Sequence, residues 1–216
     1  MTTLSPLHWL HALKREWLLY HLGDERFRFL WAPPPTDEWV AHDCETTGLN
    51  VRSDEIISIG AVRIAGDRIL TSERLQLLVR PSRRRISADS VRVHGLRERD
   101  VQEGMDPDEA MMALMRFIGS RPLVGYYLEF DVGLIDRAIF PLLGVGLPQR
   151  RIEVSSMFYD WQRRKLPPYQ EPAQIDLRFA TMMRELDLPM ESAHDALSDA
   201  VMAALAFIKL RHLLGG

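Results

Sequence analysis

Three strand-like segments separated by turns constrain the fold of this 216-residue chain more than any other feature. Residues 39–45, 56–64 and 75–79 are rich in β-branched and other apolar residues, which favour strands. The pair Gly66-Asp67 is a turn signal between the second and third segments. Because short connections join antiparallel neighbours, we predict a three-strand antiparallel meander.

Downstream of the meander, helical patterns alternate with a short apolar segment, residues 123–125, which is typical of a buried strand. Strands followed by alternating strands and helices predict an α/β fold in which helices flank a mixed sheet. The predicted helices cover residues 87–94, 108–118, 131–140, 177–186 and 195–213.

A helical extension is predicted before the α/β unit. Residues 1–30 have an amphipathic helical pattern, and the consecutive prolines at 33–35 cannot continue a helix and favour an extended segment. We therefore divide the chain into an N-terminal helix with a Pro-rich linker, residues 1–38, and a main domain, residues 39–216.

The apolar stripe of the predicted N-terminal helix consists of Leu10, Leu13, Trp17 and Tyr20, which recur at helical spacing. An exposed apolar stripe of this kind would tend to associate with other apolar surfaces. We expect it to pack on the main domain of the same chain or on a second protomer in a homodimer.

Composition excludes several classes of protein. A single cysteine rules out an intramolecular disulfide framework and a cysteine-cluster zinc site. The net charge of −3 argues against a protein held on nucleic acid by bulk charge alone. No apolar run is long enough to cross a membrane, and residues 1–15 lack the pattern of a signal peptide, so we expect a cytoplasmic protein.

Two carboxylates stand two residues apart on the first predicted strand. The period-two alternation of a strand places Asp43 and Glu45 on one face and Cys44 on the other. Buried together, the two acids would repel each other and lose hydration, and a hard divalent cation such as Mg²⁺ or Mn²⁺ would relieve both costs. Alternatively, they are two solvated acids at an exposed edge.

Three further titratable residues stand at, before or inside predicted helices, and each has a structural alternative. Asp131 follows the apolar strand and precedes a helix, where aspartate is a favoured N-cap. Asp199 lies among small residues of the last helix, which suggests a carboxylate held close to the sheet, although a surface acid fits equally well. His194 precedes that helix and is compatible with an ordinary loop histidine.

The candidate residues belong to three motifs, which are, in order, Asp43-Cys44-Glu45-Thr46-Thr47-Gly48, Phe130-Asp131 and His194-Asp195-Ala196-Leu197-Ser198-Asp199-Ala200. Taken together, these motifs resemble the DEDDh family of 3′→5′ exonucleases from about Trp39 to the C-terminus. This family has a ribonuclease H-like fold and includes the proofreading ε subunit of bacterial DNA polymerase III and ribonuclease T. Val93-His94-Gly95 is similar to a further segment of the family.

The resemblance implies a hydrolase that uses two divalent cations, Mg²⁺ or Mn²⁺. Asp43, Glu45 and Asp199 would hold one ion, Asp43 would bridge to the second, and Asp131 would complete the second site. His194 would be the general base that takes a proton from the attacking water.

The resemblance also implies a nucleotide-binding surface. The turn formed by Thr46, Thr47, Gly48 and Leu49 would contact the 3′-terminal nucleotide through backbone amides and apolar stacking. The family often has His-Asn where this chain has two tyrosines, so the binding of the next nucleotide is in question. The aromatic candidates for that contact are Tyr126, Tyr127 and Phe130, although Tyr126 and Tyr127 may equally be core aromatics.

Basic residues cluster in three places: Arg80 with Arg83–Arg85, Arg150-Arg151, and Arg163–Lys165. Each cluster alone is compatible with a solvated surface. Since a nuclease needs phosphate contacts, Arg83–Arg85 and Arg163–Lys165 are the candidates for that role.

The leading hypothesis is a metal-dependent 3′→5′ exonuclease that acts on DNA 3′ ends, preferentially single-stranded, and releases nucleoside monophosphates. One alternative keeps the chemistry and trims RNA 3′ ends, as ribonuclease T does. Another is a nuclease-fold module that binds nucleic acid or a polymerase without cutting. We expect nucleic acid as the partner and no membrane.

Overall fold

The protein is described by a computed structural model that covers residue 13 and residues 15–82, 85–167, 175–190 and 195–215. Five strands form a mixed sheet in the order β3-β2-β1-β4-β5. Strand β1 is antiparallel to β2 and parallel to β4, β2 is antiparallel to β3, and β4 is parallel to β5. The strands are β1 (Glu38–Thr46), β2 (Ile56–Ala65), β3 (Arg68–Leu78), β4 (Leu123–Gly125) and β5 (Arg151–Glu153).

Helices cover both faces of the sheet, so the predicted α/β class, the antiparallel meander and the mixed sheet are confirmed. The helices are α1 (residues 15–20), a 3₁₀ helix (Glu25–Trp31), α2 (Ala88–His94), α3 (Glu98–Val101), α4 (Pro107–Ile118), α5 (Leu128–Leu143), α6 (Val154–Lys165), α7 (Phe179–Glu185) and α8 (Ala196–Leu214).

Each face of the sheet has its own apolar core. Val40 and Cys44 of β1 face α4, α5 and the 3₁₀ helix, whereas Ala41 of the same strand faces α6, α7 and α8. This alternation confirms that Cys44 points to the opposite face from Asp43 and Glu45. The two acids therefore share the face that α8 covers.

The acids of β1 lie at the end of the sheet where the central strand β1 finishes, and we call this end of the strands the acidic edge. It contains the end of β1 and the start of β2, because Thr46 pairs with Ile56. The opposite edge contains the β2–β3 hairpin at Gly66. Helix α8 runs between the two edges, since Ala196 at its start contacts Gly60 and Arg211 near its end donates to the Gly66 carbonyl.

The N-terminal segment packs on the main domain, but through a different face from the predicted one. Leu19 and Trp31 are buried in the core on the α4–α5 side, and Phe27 and Leu30 join them. Leu13, Trp17 and Tyr20 of the predicted stripe do not pack on the main domain, since they are 47%, 59% and 87% exposed, and packing on a second protomer stays a prediction; Leu10 lies outside the described residues.

The prediction of one helix over residues 1–30 was also wrong. Helix α1 ends before Gly23, whose backbone N–H donates to the Leu143 carbonyl at 2.8 Å, and Asp24 then caps a separate 3₁₀ helix. A Cβ at position 23 would lie 3.2 Å from the Leu142 carbonyl oxygen, so the chain approaches α5 closely at this break.

Three elements were missed, one of which is the four-residue helix α3. Strand β5 and helix α6 were interpreted only as the basic clusters Arg150-Arg151 and Arg163–Lys165. Helix α6 buries only Val154 and Phe158, one turn apart, and the rest of its surface is polar or partly exposed. Its apolar pattern is therefore too sparse to be recognised against the charges around it.

Candidate active site

The acidic edge brings together three of the four predicted acids. Carboxylate oxygens of Asp43, Glu45 and Asp199 lie within 4.8 Å of one another. Asp43 and Glu45 follow from the alternation of β1, whereas Asp199 arrives from the first turn of α8. Helix α8 can approach the sheet this closely because Gly60 lies opposite Asp43 in the β1–β2 register and has no side chain.

The fourth acid, Asp131, comes from the other side of the sheet. It is 4% exposed in the first turn of α5, and its charge raises the pKa of Asp43. It is not the N-cap of that helix, because Tyr127 occupies the cap position. The structural alternative for Asp131 is therefore wrong, and the side chain is held beside the cluster instead.

Burial and mutual repulsion dominate the electrostatics of these acids. Burial raises the pKa of Asp43 well above its usual range, and Asp131, Asp199 and Glu45 raise it further. Burial raises the pKa of Glu45 to about 7, with Asp199 and Asp195 adding to the effect. Burial likewise raises the pKa of Asp131.

This donor set fits a divalent cation. Within the described residues, no positively charged side chain offsets the repulsion at Asp43, Glu45 or Asp131. Carboxylate oxygens are the ligands that Mg²⁺ and Mn²⁺ prefer, and a bound cation would remove the cost of keeping the acids ionised together.

The turn after β1 is held by the helix that follows the meander. Leu96 N–H donates to Nδ1 of His94 at 3.1 Å, so Nε2 carries the proton and donates to the Thr46 carbonyl at 3.2 Å. The hydroxyl of Ser90 donates to the Thr47 carbonyl at 3.1 Å. The segment Val93-His94-Gly95 thus helps to hold the turn in place through the side chain of His94.

The four residues of this turn have different environments. Thr46 and Thr47 are buried, and Thr47 N–H donates to the Glu55 carbonyl at 2.9 Å, so that amide is used within the turn itself. Gly48 lies against Asp54, where a Cβ would come within 2.6 Å of the carboxylate. Leu49 is 88% exposed at the tip and is the side chain that the turn presents to solvent.

The two tyrosines before α5 also differ. The hydroxyl of Tyr126 donates to the Leu177 carbonyl at 3.2 Å, and its ring packs on Phe179 at 4.8 Å between centroids, as a structural aromatic does. Tyr127 is 73% exposed, has a φ of 57°, and stands 6.4 Å from the ring of Phe130. A groove of about 640 Å³ lies beside these two tyrosines.

Glu153 is a supporting residue that the sequence did not reveal. Tyr127 provides no side-chain cap for α5, and the carboxylate of Glu153 accepts instead from Tyr127 N–H at 3.2 Å and Leu128 N–H at 2.8 Å. The same carboxylate caps α6 by accepting from Ser155 N–H. Only the pairing of β4 with β5 brings Glu153 to this place, so no local pattern predicts it.

The basic clusters lie at different edges. Arg80 and Arg85 are exposed on the segment between β3 and α2, and Ser87 N–H donates to the Thr47 carbonyl, which puts this segment at the acidic edge. Arg164 donates to the Leu214 carbonyl at the far end of α8, whose 19 residues span about 28 Å. Arg151 lies at the start of β5, also at the opposite edge.

Helix α6 carries Arg163–Lys165 away from the acidic edge, so these residues are not candidates for phosphate contacts at that edge. Arg83 and Arg84 lie outside the described residues, as does His194. No helix in the described part of the chain combines the length and apolar character needed to cross a bilayer.

Comparisons with known proteins agree with this architecture. Residues 40–207 match the exonuclease family RNase T, and the chain belongs to this family. It is 30% identical over 182 residues to a DNA polymerase III subunit epsilon-like protein of Rhodobacter capsulatus, covering 83% of this chain and 25% of that protein. It is 26% identical to the PolC-type DNA polymerase III of Thermotoga maritima, covering 76% and 13%. The chain thus spans a quarter or less of these relatives.

Solved structures show the same fold. Exonuclease I of E. coli, determined with single-stranded DNA, superposes with a TM-score of 0.68 at 15% identity, covering 84% of this chain and 41% of that one. Cell-death related nuclease 4 superposes with a TM-score of 0.66 at 17% identity, covering 84% and 65%.

Proposed function

We propose that this chain is a metal-dependent 3′→5′ exonuclease that removes nucleoside monophosphates from DNA 3′ ends, with a preference for single strands. The observation that carries the proposal is the convergence of Asp43, Glu45 and Asp199, with Asp131 beside them, next to a turn that presents an exposed leucine.

In this proposal, two divalent cations, Mg²⁺ or Mn²⁺, bind to the four acids. Asp43, Glu45 and Asp199 would hold one ion, Asp43 would also contribute to the second, and Asp131 would complete the second site. Bound cations supply stabilisation of the attacking and leaving oxygens at phosphorus. The raised pKa values of Asp43 and Glu45 support the proposal, since acids placed together at such cost need a compensating charge.

The surroundings of the acids support a nucleotide chain as substrate. Leu49 offers an apolar surface to the terminal base, and the exposed ring of Tyr127 with Phe130 offers a second stacking surface next to Asp131. Arg80 and Arg85 place positive charge at the same edge for phosphates. Tyr126 is left out of this stacking surface, because its hydroxyl and its ring are used in contacts with Leu177 and with Phe179 of α7.

His194 is proposed as the general base that accepts a proton from the attacking water. It stands one residue before Asp195, which caps α8 through Ser198 N–H. Loss of such a group costs about 10²–10⁴-fold in rate. A His194→Ala variant should therefore retain metal binding and lose most of the activity.

A degradation assay with Mg²⁺, Mn²⁺ or EDTA tests the proposal. The substrates are single-stranded DNA, duplex DNA and RNA, each labelled at the 3′ or the 5′ end. We expect the 3′ label to leave at once as a mononucleotide and the 5′ label to shift through a descending ladder. Removal of the metal should stop both. Faster loss from RNA than from DNA would favour the ribonuclease T type of activity.

A non-cutting binding module is the weaker alternative, because all four acids are retained in the sequence. That alternative predicts oligonucleotide binding without any product under every metal condition. The Asp43→Asn variant serves as the control for contaminating nucleases in these assays, since it should give no product at all.

A further inference from the structure

A loop after β1 is organised by one carboxylate. We call residues 47–55 the substrate loop. Asp54 accepts from the hydroxyl of Thr47 at 3.2 Å and from Asn50 N–H at 2.8 Å, one bond to each carboxylate oxygen. A Cβ on Gly48 would lie 2.6 Å from the same carboxylate. Asp54 thus ties the start of the loop to the residue that follows its tip, Leu49.

The substrate loop is also attached to helix α5. Both terminal nitrogens of Arg137 donate to the loop backbone, one to the Val51 carbonyl and one to the Asp54 carbonyl. One turn earlier, Gly133 lies so close to Val51 that a Cβ there would stand 3.0 Å from a methyl group of the valine. The loop therefore has two anchoring points on α5.

Helix α5 carries Asp131, which is six residues before Arg137 and about 9 Å away along the axis. A single rigid helix thus connects an acid of the candidate site with the loop that presents Leu49. Because the helix cannot shorten or stretch, the two anchors set the position of the loop relative to Asp131.

We propose that Arg137 and Asp54 are positioning residues, which hold the substrate loop in register with the acids and thereby determine how tightly the 3′-terminal nucleotide binds. This inference rests on the proposed function. Neither side chain lies in the acid cluster, and neither contacts it in the described structure.

The chemistry of the two side chains makes conservative variants informative. A guanidinium is a planar fork that serves two carbonyls at once, whereas a lysine ammonium is a point charge on a flexible stem. Asparagine offers a single acceptor oxygen, so Asp54→Asn retains only one of the two bonds. Arg137→Lys keeps the charge and loses the fork. An effect on KM between those of Arg137→Ala and the wild type therefore separates a positioning role from a loss of charge.

The test measures single-turnover and steady-state cutting of a 5′-labelled single-stranded oligonucleotide by Arg137→Ala, Arg137→Lys and Asp54→Asn. We expect KM to rise about tenfold for Arg137→Ala, which corresponds to about 1.4 kcal/mol. We expect kcat at saturation and the affinity for Mn²⁺ to stay within about twofold, since a lost binding contact raises KM alone. Arg137→Lys should fall between Arg137→Ala and the wild type.

Arg164→Ala is the matched control. Arg164 is likewise an exposed arginine that donates to a backbone carbonyl, at the opposite edge of the sheet. Its removal should leave KM unchanged. The double variant of Arg137 and Asp54 should raise KM by less than the product of the single effects, because both act on one loop.

Hydrogen exchange of residues 47–55 provides a readout that does not depend on cutting. Amide protection there should fall in the variants of Arg137 and Asp54 and not in Arg164→Ala. An active Arg137→Ala enzyme with wild-type KM, or a KM increase with unchanged protection, would overturn the inference alone. A wild-type protein that cuts no substrate would overturn the proposed function and the inference with it.

Discussion

Gly60 lies so close to Ala196 that a Cβ at position 60 would stand 2.1 Å from the carbonyl carbon of Ala196. The same glycine pairs with Asp43 in the β1–β2 register. This contact seats the first turn of α8 on the strand face that carries the acids, and Asp199 lies in that turn. The acidic cluster thus depends on the absence of a side chain at Gly60 as well as on the acids themselves.

The substitution Gly60→Ala should displace the start of α8. The added methyl group meets backbone rather than a flexible side chain, and overpacking of this kind typically costs about 1–3 kcal/mol. We expect a lower Tm, weaker Mn²⁺ binding by calorimetry and at least a tenfold loss of cutting. Wild-type metal affinity in Gly60→Ala would show that Asp199 does not depend on this contact.

The substitution Asp43→Asn should abolish cutting without weakening the metal-free fold. Burial and the neighbouring acids raise the pKa of Asp43, so its ionised form is costly in the absence of metal. In EDTA at pH 7.5 we expect a Tm equal to or above that of the wild type. Asp67→Asn, which changes an acid paired with Arg211 at the opposite edge, is the control and should keep full activity.

The pH dependence of stability should report the cost of keeping the buried Glu45 carboxylate ionised. Its pKa is raised in the folded state from 4.5 to about 7, so the folded protein binds more protons than the unfolded chain between these values. Stability is therefore lost as pH rises through this range. In EDTA, Glu45→Gln should gain stability over the wild type as pH rises from 4.5 to about 7.

A comparison of Glu45→Gln with the wild type is needed because the titration of His42 changes stability with pH in the opposite direction. Burial lowers its pKa to about 4, and the resulting increase in stability with pH is common to both proteins. The difference in unfolding free energy from denaturant titrations thus reports Glu45 together with its repulsion of Asp43 and Asp131. A difference that does not change with pH would contradict the raised pKa.

The carboxylate of Glu153 should be needed to hold Asp131 in place. Glu153→Ala removes the acceptor for the first N–H groups of α5 and α6, and each lost cap costs about 1 kcal/mol. We expect a lower Tm and reduced cutting, with Glu153→Gln between the alanine variant and the wild type. Unchanged activity together with a reduced Tm would show that the cap stabilises the fold without positioning Asp131.

Local patterns in the sequence predicted much of the fold because they need only neighbouring residues. The alternation of β1 separates Asp43 and Glu45 from Cys44, and the turn at Gly66 leads to an antiparallel strand. The same reasoning failed for the N-terminal helix, where packing rather than spacing selects the buried face. It also failed for Asp131, which the structure buries inside the first turn of α5 instead of at its cap.

The sequence by itself determined the meander, the pair Asp43 and Glu45, and the order of the motifs, since strand periodicity and turn chemistry operate over a few residues. Tertiary structure alone decided that Gly60 admits α8 with Asp199, that Glu153 caps α5 from a neighbouring strand, and that Arg164 lies far from the acids. These relationships join residues distant in the chain, and only the packing of helices on the sheet brings them together.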